Sequence, residues 1–444
     1  MGVKTRKMAL RSQVRKMDDE NEGIGRLQVA DLLMEIFLRL PIMALGKCRC
    51  VCKTWFRIIS SPEFAKLHLS VSPTCILIKN KPPKRESRRL LLSQVFEDSC
   101  GTNRFRFERM DFTQQFHLPN IGSFSLVNSC NGLVCLFGIA HKLIYVCNPV
   151  LGEYITIQVP HHSDPYDRSF GLGFCSITNE FKVLHTFRTK EPGMLVKAVI
   201  YTLGTRLWRS IENVPNDITI ITSLGFDSLL HGTLHWATVK ANPNLCRKIT
   251  CFKFEKDLFG EIPVPPQFEL DLAEPDLASF EQLRLGVYDG CLSACCFRPG
   301  GYLRFDIWVM KEYGVKKSWV AEFHIYSCLT HFVANFYYPL IFLKDSEIMI
   351  SFNNKLICSY IPGRDECQYT RLARTTGEFD AVGYTPCFVS LDDVAKGERI
   401  NRYPIPTMLL LAYALCILDA SLYDPVLILV TVKLYIALKH LDTP

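Results

Sequence analysis

Between Leu27 and Leu69 the apolar positions recur at helical spacing. Asp31 is placed to cap a first helix whose Leu32, Leu33, Ile36, Phe37 and Leu40 make a wide apolar face, and Pro41 ends that helix and starts the next. Leu45, Cys48, Cys52, Trp55 and Ile59 follow at steps of three and four. Short helices with this much apolar surface either close on themselves as a miniature core or offer a docking face to another protein.

Beyond residue 100 the texture changes to short β-branched and aromatic runs broken by Gly, Pro, Asn and Asp, which predicts an all-β domain. One kind of strand recurs at Gly132 to Phe137, Phe181 to Phe187, Gly232 to Trp236, Gly290 to Cys295 and Glu347 to Phe352. A second kind follows each of these, at Leu143 to Cys147, Val199 to Thr202, Ile249 to Phe254, Phe305 to Val309 and Leu356 to Tyr360. Both series step by about 50 residues, so one supersecondary unit is used five times. The clearest copy holds strands at 169–175, 181–188, 196–202 and 207–212, with turns at Thr178 to Glu180, Glu191 to Gly193 and Leu203 to Thr205. Four strands per unit is the size of a kelch-type blade, and the strand-like runs near 74–109 bring the count to about six. The predicted architecture is therefore α+β multidomain, a small all-α module before a β-propeller; a tandem of β-sandwiches is the alternative.

A composition of 48% hydrophobic and 21% charged residues excludes a disordered chain. The net charge of +7 divides unevenly: residues 1–110 hold 22 Lys+Arg and 11 Asp+Glu, whereas residues 111–444 hold 29 and 33. A slightly acidic β domain argues against nucleic acid as its partner. Residues 1–25 read as a solvated basic and acidic arm, and Lys79 to Arg89, with Pro82 and Pro83, as an exposed basic linker. The 19 cysteines are odd in number, scattered and set in apolar runs, and residues 1–22 contain no apolar signal core. The expectation is a reduced protein of the cytoplasm and/or nucleus, not secreted. At the other end, the apolar runs Met408 to Leu418 and Val426 to Val432 are each too short to span a bilayer and are separated by Asp419, Asp424 and Pro425. A helical tail packed on the domain is the first reading of 403–444, whose status stays open, with a membrane anchor and a C-terminus foreign to the domain as the alternatives.

Catalytic chemistry is hard to find. Serine-hydrolase elbow, phosphate loop and zinc-protease signatures are absent, and the pair Gly23 and Gly25 follows no strand. Cys48, Cys50 and Cys52, like Cys295 and Cys296, lack zinc-site spacing. His161 and His162 sit in a loop, while His231 and His235 on one strand would lie ~13 Å apart. Val134, Leu184, Leu234 and Ile348, read as innermost-strand positions, are apolar. No catalytic residue, metal or cofactor is expected.

Two stretches carry a family resemblance. Asp31 to Pro41, Cys48 to Trp55 and Ser61 to Phe64 resemble the F-box of plant F-box proteins, including the Arg39-Leu40-Pro41 corner; Gln28 and Val29 stand where the family opens with Leu-Pro. Ser129 to Cys135, Cys147 to Pro149, Gly173 and Phe174 with Thr178 to Val183, Trp208 and Arg209, Gly232 to Trp236, Ile307 to Met310 with Trp319, and Phe388 to Leu391 resemble the F-box-associated, kelch-like domain. Patterning and resemblance together set the boundaries 1–25 for an arm, 26–70 for the F-box, 71–118 for a linker and first partial blade, 119–402 for the associated domain and 403–444 for the tail. The resemblance implies a substrate-recognition subunit of a Skp-cullin-F-box ubiquitin ligase, not itself an enzyme. Such a subunit docks the Skp-type adaptor, and through it a cullin, with Leu32, Leu33, Ile36, Phe37, Leu40, Pro41, Leu45, Val51, Cys52 and Trp55, and holds an unidentified substrate protein on the β domain. An adaptor-independent binding module and a propeller enzyme are the alternatives.

Overall fold

The computed structural model describes residues 30–80, 90–96, 106–110, 124–138, 142–160, 168–189, 195–215, 228–240, 246–266, 283–297, 304–326, 337–342, 347–352, 355–362, 366–370 and 378–402. The N-terminal arm, Gln28 and Val29, the basic run from Lys81 to Arg89, His161 and His162, the Glu191 to Gly193 turn and the tail 403–444 lie outside these residues. Two compact units divide the chain, one holding the helices up to Ser72 together with Cys387–Val389, the other holding the strands.

In the helical unit, α1 (30–38) is followed by α2 (Ile42–Cys48), α3 (Lys53–Ile59) and α4 (Pro62–Val71). Asp31 falls inside α1 rather than ahead of it. Pro41 is the N-cap of α2, where its missing N–H costs nothing, and its carbonyl accepts from the Leu45 N–H at 3.1 Å. Ser61 caps α4 by accepting from the Phe64 N–H at 3.2 Å, with Pro62 in the first turn behind it. The helical period read through Leu45 to Ile59 is interrupted: residues 49–51 form a turn and Cys52, with extended backbone, becomes the N-cap of α3. Phe37 anchors the small core, edge-on to Trp55 at 5.0 Å and to Phe64 at 6.5 Å between ring centroids, with Ile42, Leu45, Val51 and Ile59 buried around it.

The second unit holds six sheets of antiparallel strands among the described residues. Blade 2 is β4 (Phe124–Cys130), β5 (Leu133–Gly138), β6 (Leu143–Asn148) and β7 (Glu153–Gln158). Blade 3 is β8 (Arg168–Cys175), β9 (Glu180–Arg188), β10 (Val196–Thr202) and β11 (Trp208–Ile211), each within a residue of its expected place. Blade 4 is β12 (Ser228–Leu230), β13 (Thr233–Lys240), β14 (Cys246–Lys253) and β15 (Leu258–Ile262); blade 5 is β16 (Arg284–Tyr288), β17 (Cys291–Phe297), β18 (Arg304–Met310) and β19 (Trp319–Tyr326). Blade 6 is β20 (Tyr337–Phe342), β21 (Ile348–Phe352), β22 (Leu356–Ile361) and β23 (Glu366–Thr370). Blade 1 combines β1 (Cys75–Asn80), β2 (Leu90–Phe96) and β3 (Arg106–Met110) with a strand from the other end of the chain, β24 (Phe379–Tyr384). The supposed linker start Lys79 therefore lies in β1, buried, with its ammonium 5.0 Å from the centre of the Phe124 ring.

The glycines that mark the repeat have a backbone reason. Asn131 and Gly132, His231 and Gly232, and Asp289 and Gly290 all have positive φ, the signature of two-residue turns whose twist matches that of the paired strands. His231 is thus a turn residue, not a strand partner of His235. The first strands of neighbouring blades, with β24 serving blade 1, lie side by side at five of the six junctions, and between blades 3 and 4 β8 meets β13. Val134, Leu184, Leu234 and Ile348 accordingly sit on second strands, one step out from the innermost position, because the turn glycine opens the second strand of a blade and not the first.

Apolar clusters fill the junctions between blades 2 and 3, 3 and 4, 4 and 5, 5 and 6, and 6 and 1. On the innermost strands, polar side chains sew backbone to backbone. At a bulge in β4 the Asn128 side chain donates to the Leu172 carbonyl and accepts from the Leu172 N–H, both at 2.8 Å. Its neighbour Ser129 donates to the Gly383 carbonyl on β24. After β24 the chain forms α5 (Leu391–Val394) and β25 (Asn401–Arg402), which pairs with β7, and buried Glu153 accepts from Ser390, the Leu391 N–H and Arg402.

Gly173 on β8 lies under the buried Phe254 of the next blade: a Cβ there would stand 1.8 Å from a ring carbon. Replacing Gly173 by Ala is expected to lower the unfolding free energy of the propeller by about 1–3 kcal/mol. Urea denaturation followed by tryptophan fluorescence measures it, and unchanged stability would refute the wedge.

Candidate functional site

The helical surface is set by which apolar residues the small core consumes. Phe37, 1% exposed, and Leu45, 0% exposed, are interior, as is Val51. Leu33, Leu40 and Trp55 are half-buried, and Pro41 and Cys52 are exposed. Leu32 and Ile36, one helical turn apart on α1, are 62% and 42% exposed. The sequence grouping thus mixes two roles: Phe37, Leu45 and Val51 hold the helices, whereas Leu32 and Ile36 face solvent. Three further exposed apolar side chains, Phe56, Leu67 and Val71, were missed. Helical spacing alone does not separate them from the core, since Leu67 and Val71 follow buried Phe64 at steps of three and four.

Arg49 braces this surface. Its guanidinium carbon lies 5.1 Å from the centre of the Phe56 ring and 5.2 Å from that of Phe388, and its Nε donates to Ser60 Oγ at 3.2 Å. His68 is buried between Phe64, stacked at 5.6 Å, and Phe388, at 6.1 Å, and it hydrogen-bonds the backbone of Leu40, so the Arg39-Leu40-Pro41 corner is pinned from within. Burial pulls the imidazole below its usual range, and the Leu40 bond only partly opposes this.

On the propeller, tryptophans tie blades together. Trp208 at the start of β11 donates its indole N–H to the Gln158 carbonyl at 2.9 Å, and Trp319 at the start of β19 does the same to the Pro263 carbonyl at 2.9 Å. Both reach one repeat back, 50 and 56 residues earlier. Between blades 3 and 4, buried Lys182 donates to the Phe254 carbonyl at 3.1 Å and to Asp257 Oδ1 at 3.0 Å, and Arg209 pairs with the same carboxylate. Ser176 Oγ donates to Glu255 Oε1 at 3.0 Å.

Reactive chemistry is poorly served by these groups. Burial pushes the Cys48 thiol up to about 11 and the Cys75 and Cys387 thiols up to about 12, which makes them weak nucleophiles. His235 Nε2 and the Tyr313 hydroxyl are 2.6 Å apart, but His235 is buried and Cys251, also against Tyr313, is raised by burial. Among the described residues no group of three or more His, Cys, Asp or Glu could hold a metal ion, and no helix is long and apolar enough to cross a membrane.

His68 supplies a pH test. Because its folded pKa lies below the unfolded value, the unfolded chain binds the proton more readily, and stability is lost as pH falls through the unfolded value of about 6.5. Protection of the α4 amides, corrected for intrinsic exchange, is expected to drop between pH 7 and pH 5 and to become flatter with pH in His68→Gln; an equal drop in both proteins would exclude His68 as the cause.

Comparison with known proteins agrees with this layout. The F-box domain matches residues 30–67, and the F-box associated beta propeller domain matches residues 106–391. An F-box protein of Arabidopsis thaliana is 27% identical over 397 residues, covering 78% of this chain and 89% of its own. An F-box/kelch-repeat protein of the same plant is 25% identical, covering 82% and 96%, and its F-box protein CPR1 is 26% identical, covering 73% and 79%. Four helices over the range of the first match and sheets of antiparallel strands over that of the second agree with these assignments: the chain belongs to the F-box-associated β-propeller family and carries an F-box domain ahead of its propeller in sequence.

Proposed function

We propose that this chain is the substrate-recognition subunit of a Skp-cullin-F-box ubiquitin ligase. The observation that carries this reading is the exposed pair Leu32 and Ile36 on a helix that gives Phe37 to the core and keeps Leu33 half-buried. A face that stays apolar after folding gains by being covered, at roughly 25 cal/mol per Å² of apolar area removed from water. Leu33, Leu40, Pro41, Cys52 and Trp55, all with surface still open, extend the proposed adaptor contact. Phe37, Leu45 and Val51 support it from inside. The propeller then holds the substrate protein, and the adaptor links it to the cullin.

No bond is made or broken by this chain on this reading, and no cofactor is needed. Its contribution is proximity: tethering raises the effective concentration of substrate lysines near the ubiquitin-loaded enzyme. The work is placed in the cytoplasm or nucleus, without nucleic acid or membrane as partner. The F-box domain ahead of an F-box associated propeller supports this reading.

The test separates surface from core. Leu32→Asp combined with Ile36→Asp is expected to weaken co-purification of the Skp-type adaptor by at least about tenfold while leaving the melting temperature unchanged. Phe37→Ala is expected to lose the adaptor too, but by destabilising the helices by about 3–5 kcal/mol. Full adaptor recovery by the double Asp variant would refute the docking assignment.

A further inference from the structure

Ile177 and Leu207 are 74% and 72% exposed, on short turns between strands of blade 3. Leu258, also exposed, opens β15 of the neighbouring blade. Three bonds bring these positions together. Ser176, next to Ile177, donates to Glu255; Arg209, two residues after Leu207, pairs with Asp257; and Asp257, directly before Leu258, also receives the buried Lys182 ammonium. A fourth turn closes the group: the Gly204 N–H donates to Glu398 at 3.1 Å, and a Cβ on Gly204 would stand 2.7 Å from the Lys396 carbonyl. The apolar tips are therefore held by a fixed frame, and ordering them on binding costs little.

The charge around them is the reverse of the domain's. Arg206, Lys256 and Lys396 are exposed on these turns, and Arg209 on β11 and Lys253 at the end of β14 are exposed beside them. With Lys182 they make six cations against four carboxylates, Glu180, Glu255, Asp257 and Glu398, in a region of the chain, 111–444, where acids outnumber bases 33 to 29. Asp257 is taken by Lys182 and Arg209, and Glu398 accepts from the Tyr201 hydroxyl at 2.6 Å with Arg206 4.0 Å away, which leaves Lys253, Lys256 and Lys396 against Glu180 and Glu255.

From this geometry we infer that the turn face of blades 3 and 4 is where the substrate protein docks, and that the substrate segment it fits is acidic with apolar side chains among its acids. The inference rests on the substrate-receptor reading and gives that reading's unnamed substrate a chemistry. Apolar tips supply contact area and the ring of cations selects the sign of the partner.

The test selects a phage-displayed library of random dodecapeptides on the full chain and on a variant carrying Ile177→Glu and Leu207→Glu, both at exposed turn positions. Peptides retained by the wild type are expected to combine two or more Asp or Glu with Leu, Ile, Phe or Trp, and to be lost on the variant. A synthetic peptide of their consensus should bind about tenfold more weakly to Lys256→Glu, and about tenfold more weakly at 300 mM than at 50 mM salt. Enrichment of basic peptides, enrichment that survives in the variant, no enrichment, or displacement of the peptide by a 20-nucleotide RNA would each overturn the proposal. Adaptor recovery on the same preparations keeps the two ideas apart: adaptor bound without peptide selection removes this surface alone, and selection without adaptor removes the ligase reading alone.

Discussion

The pairing of β24 with β1 is the constraint on which the rest of the β domain depends. Six residues on each strand match in unbroken antiparallel register, from Cys75 opposite Tyr384 to Asn80 opposite Phe379. Beside the ladder the Thr74 and Thr385 hydroxyls are 3.3 Å apart, although 311 residues separate them in sequence. A radial array of sheets that stopped short of this pairing would leave open edges and the apolar faces of its end blades in water. Closing so long a loop costs only slightly more entropy than closing a short one, because the cost grows with the logarithm of length. The ladder and the cluster of Ile76, Ile78, Phe379 and Ala381 with blade 6 are set against that cost. The far side of β24 is tied to blade 2 by Ser129, and the Tyr384 hydroxyl reaches the Gly132 carbonyl at 3.3 Å.

Closure turns six local sheets into one platform, and the turns inherit its rigidity. Asp257, held in a left-handed conformation, serves Lys182 and Arg209 together beside the close packing of Phe254 on Gly173 that joins blade 4 to blade 3. The same economy governs the helical module. Phe37 meets Trp55 and Phe64 edge-to-face in the core, while Leu32 and Ile36 on the same helix stay exposed, so a surface is made out of what the core does not use.

Much of this was legible in the residues, for physical reasons. The repeat showed because Gly132, Gly232 and Gly290 take positive φ that other residues resist, so every such turn leaves the same letter before the same apolar run. Blade 3 could be drawn to within a residue because its strands are bounded by Thr178 and Asn179 and by Gly204. The closing strand could not be drawn. Phe379 to Tyr384 follows no turn glycine, and its partner lies at the other end of the domain, where no local pattern points to it. For the same reason the innermost strands were misplaced by one: turn chemistry marks the second strand of a blade, while the first is short in blade 4 and carries a proline in blade 6. In the helices, periodicity found the apolar face but not its division between Leu45 inside and Leu32 outside, which depends on where neighbouring helices lie. Cys52 is lost to the apolar set because a helix starts there, and Lys79 reads as exposed from its charge although it is buried and its charge rests on Phe124.

Native-state hydrogen exchange tests the closure most directly, since it reports the free energy at which each strand opens. If the ring is held shut by β24, the amides of β1 and β24 exchange only through the same global unfolding that exposes β9 and β13 in the middle of the ring. If β1 and β24 open at a clearly lower free energy while β9 and β13 stay protected, the ends are a loose seam and the ring does not depend on them.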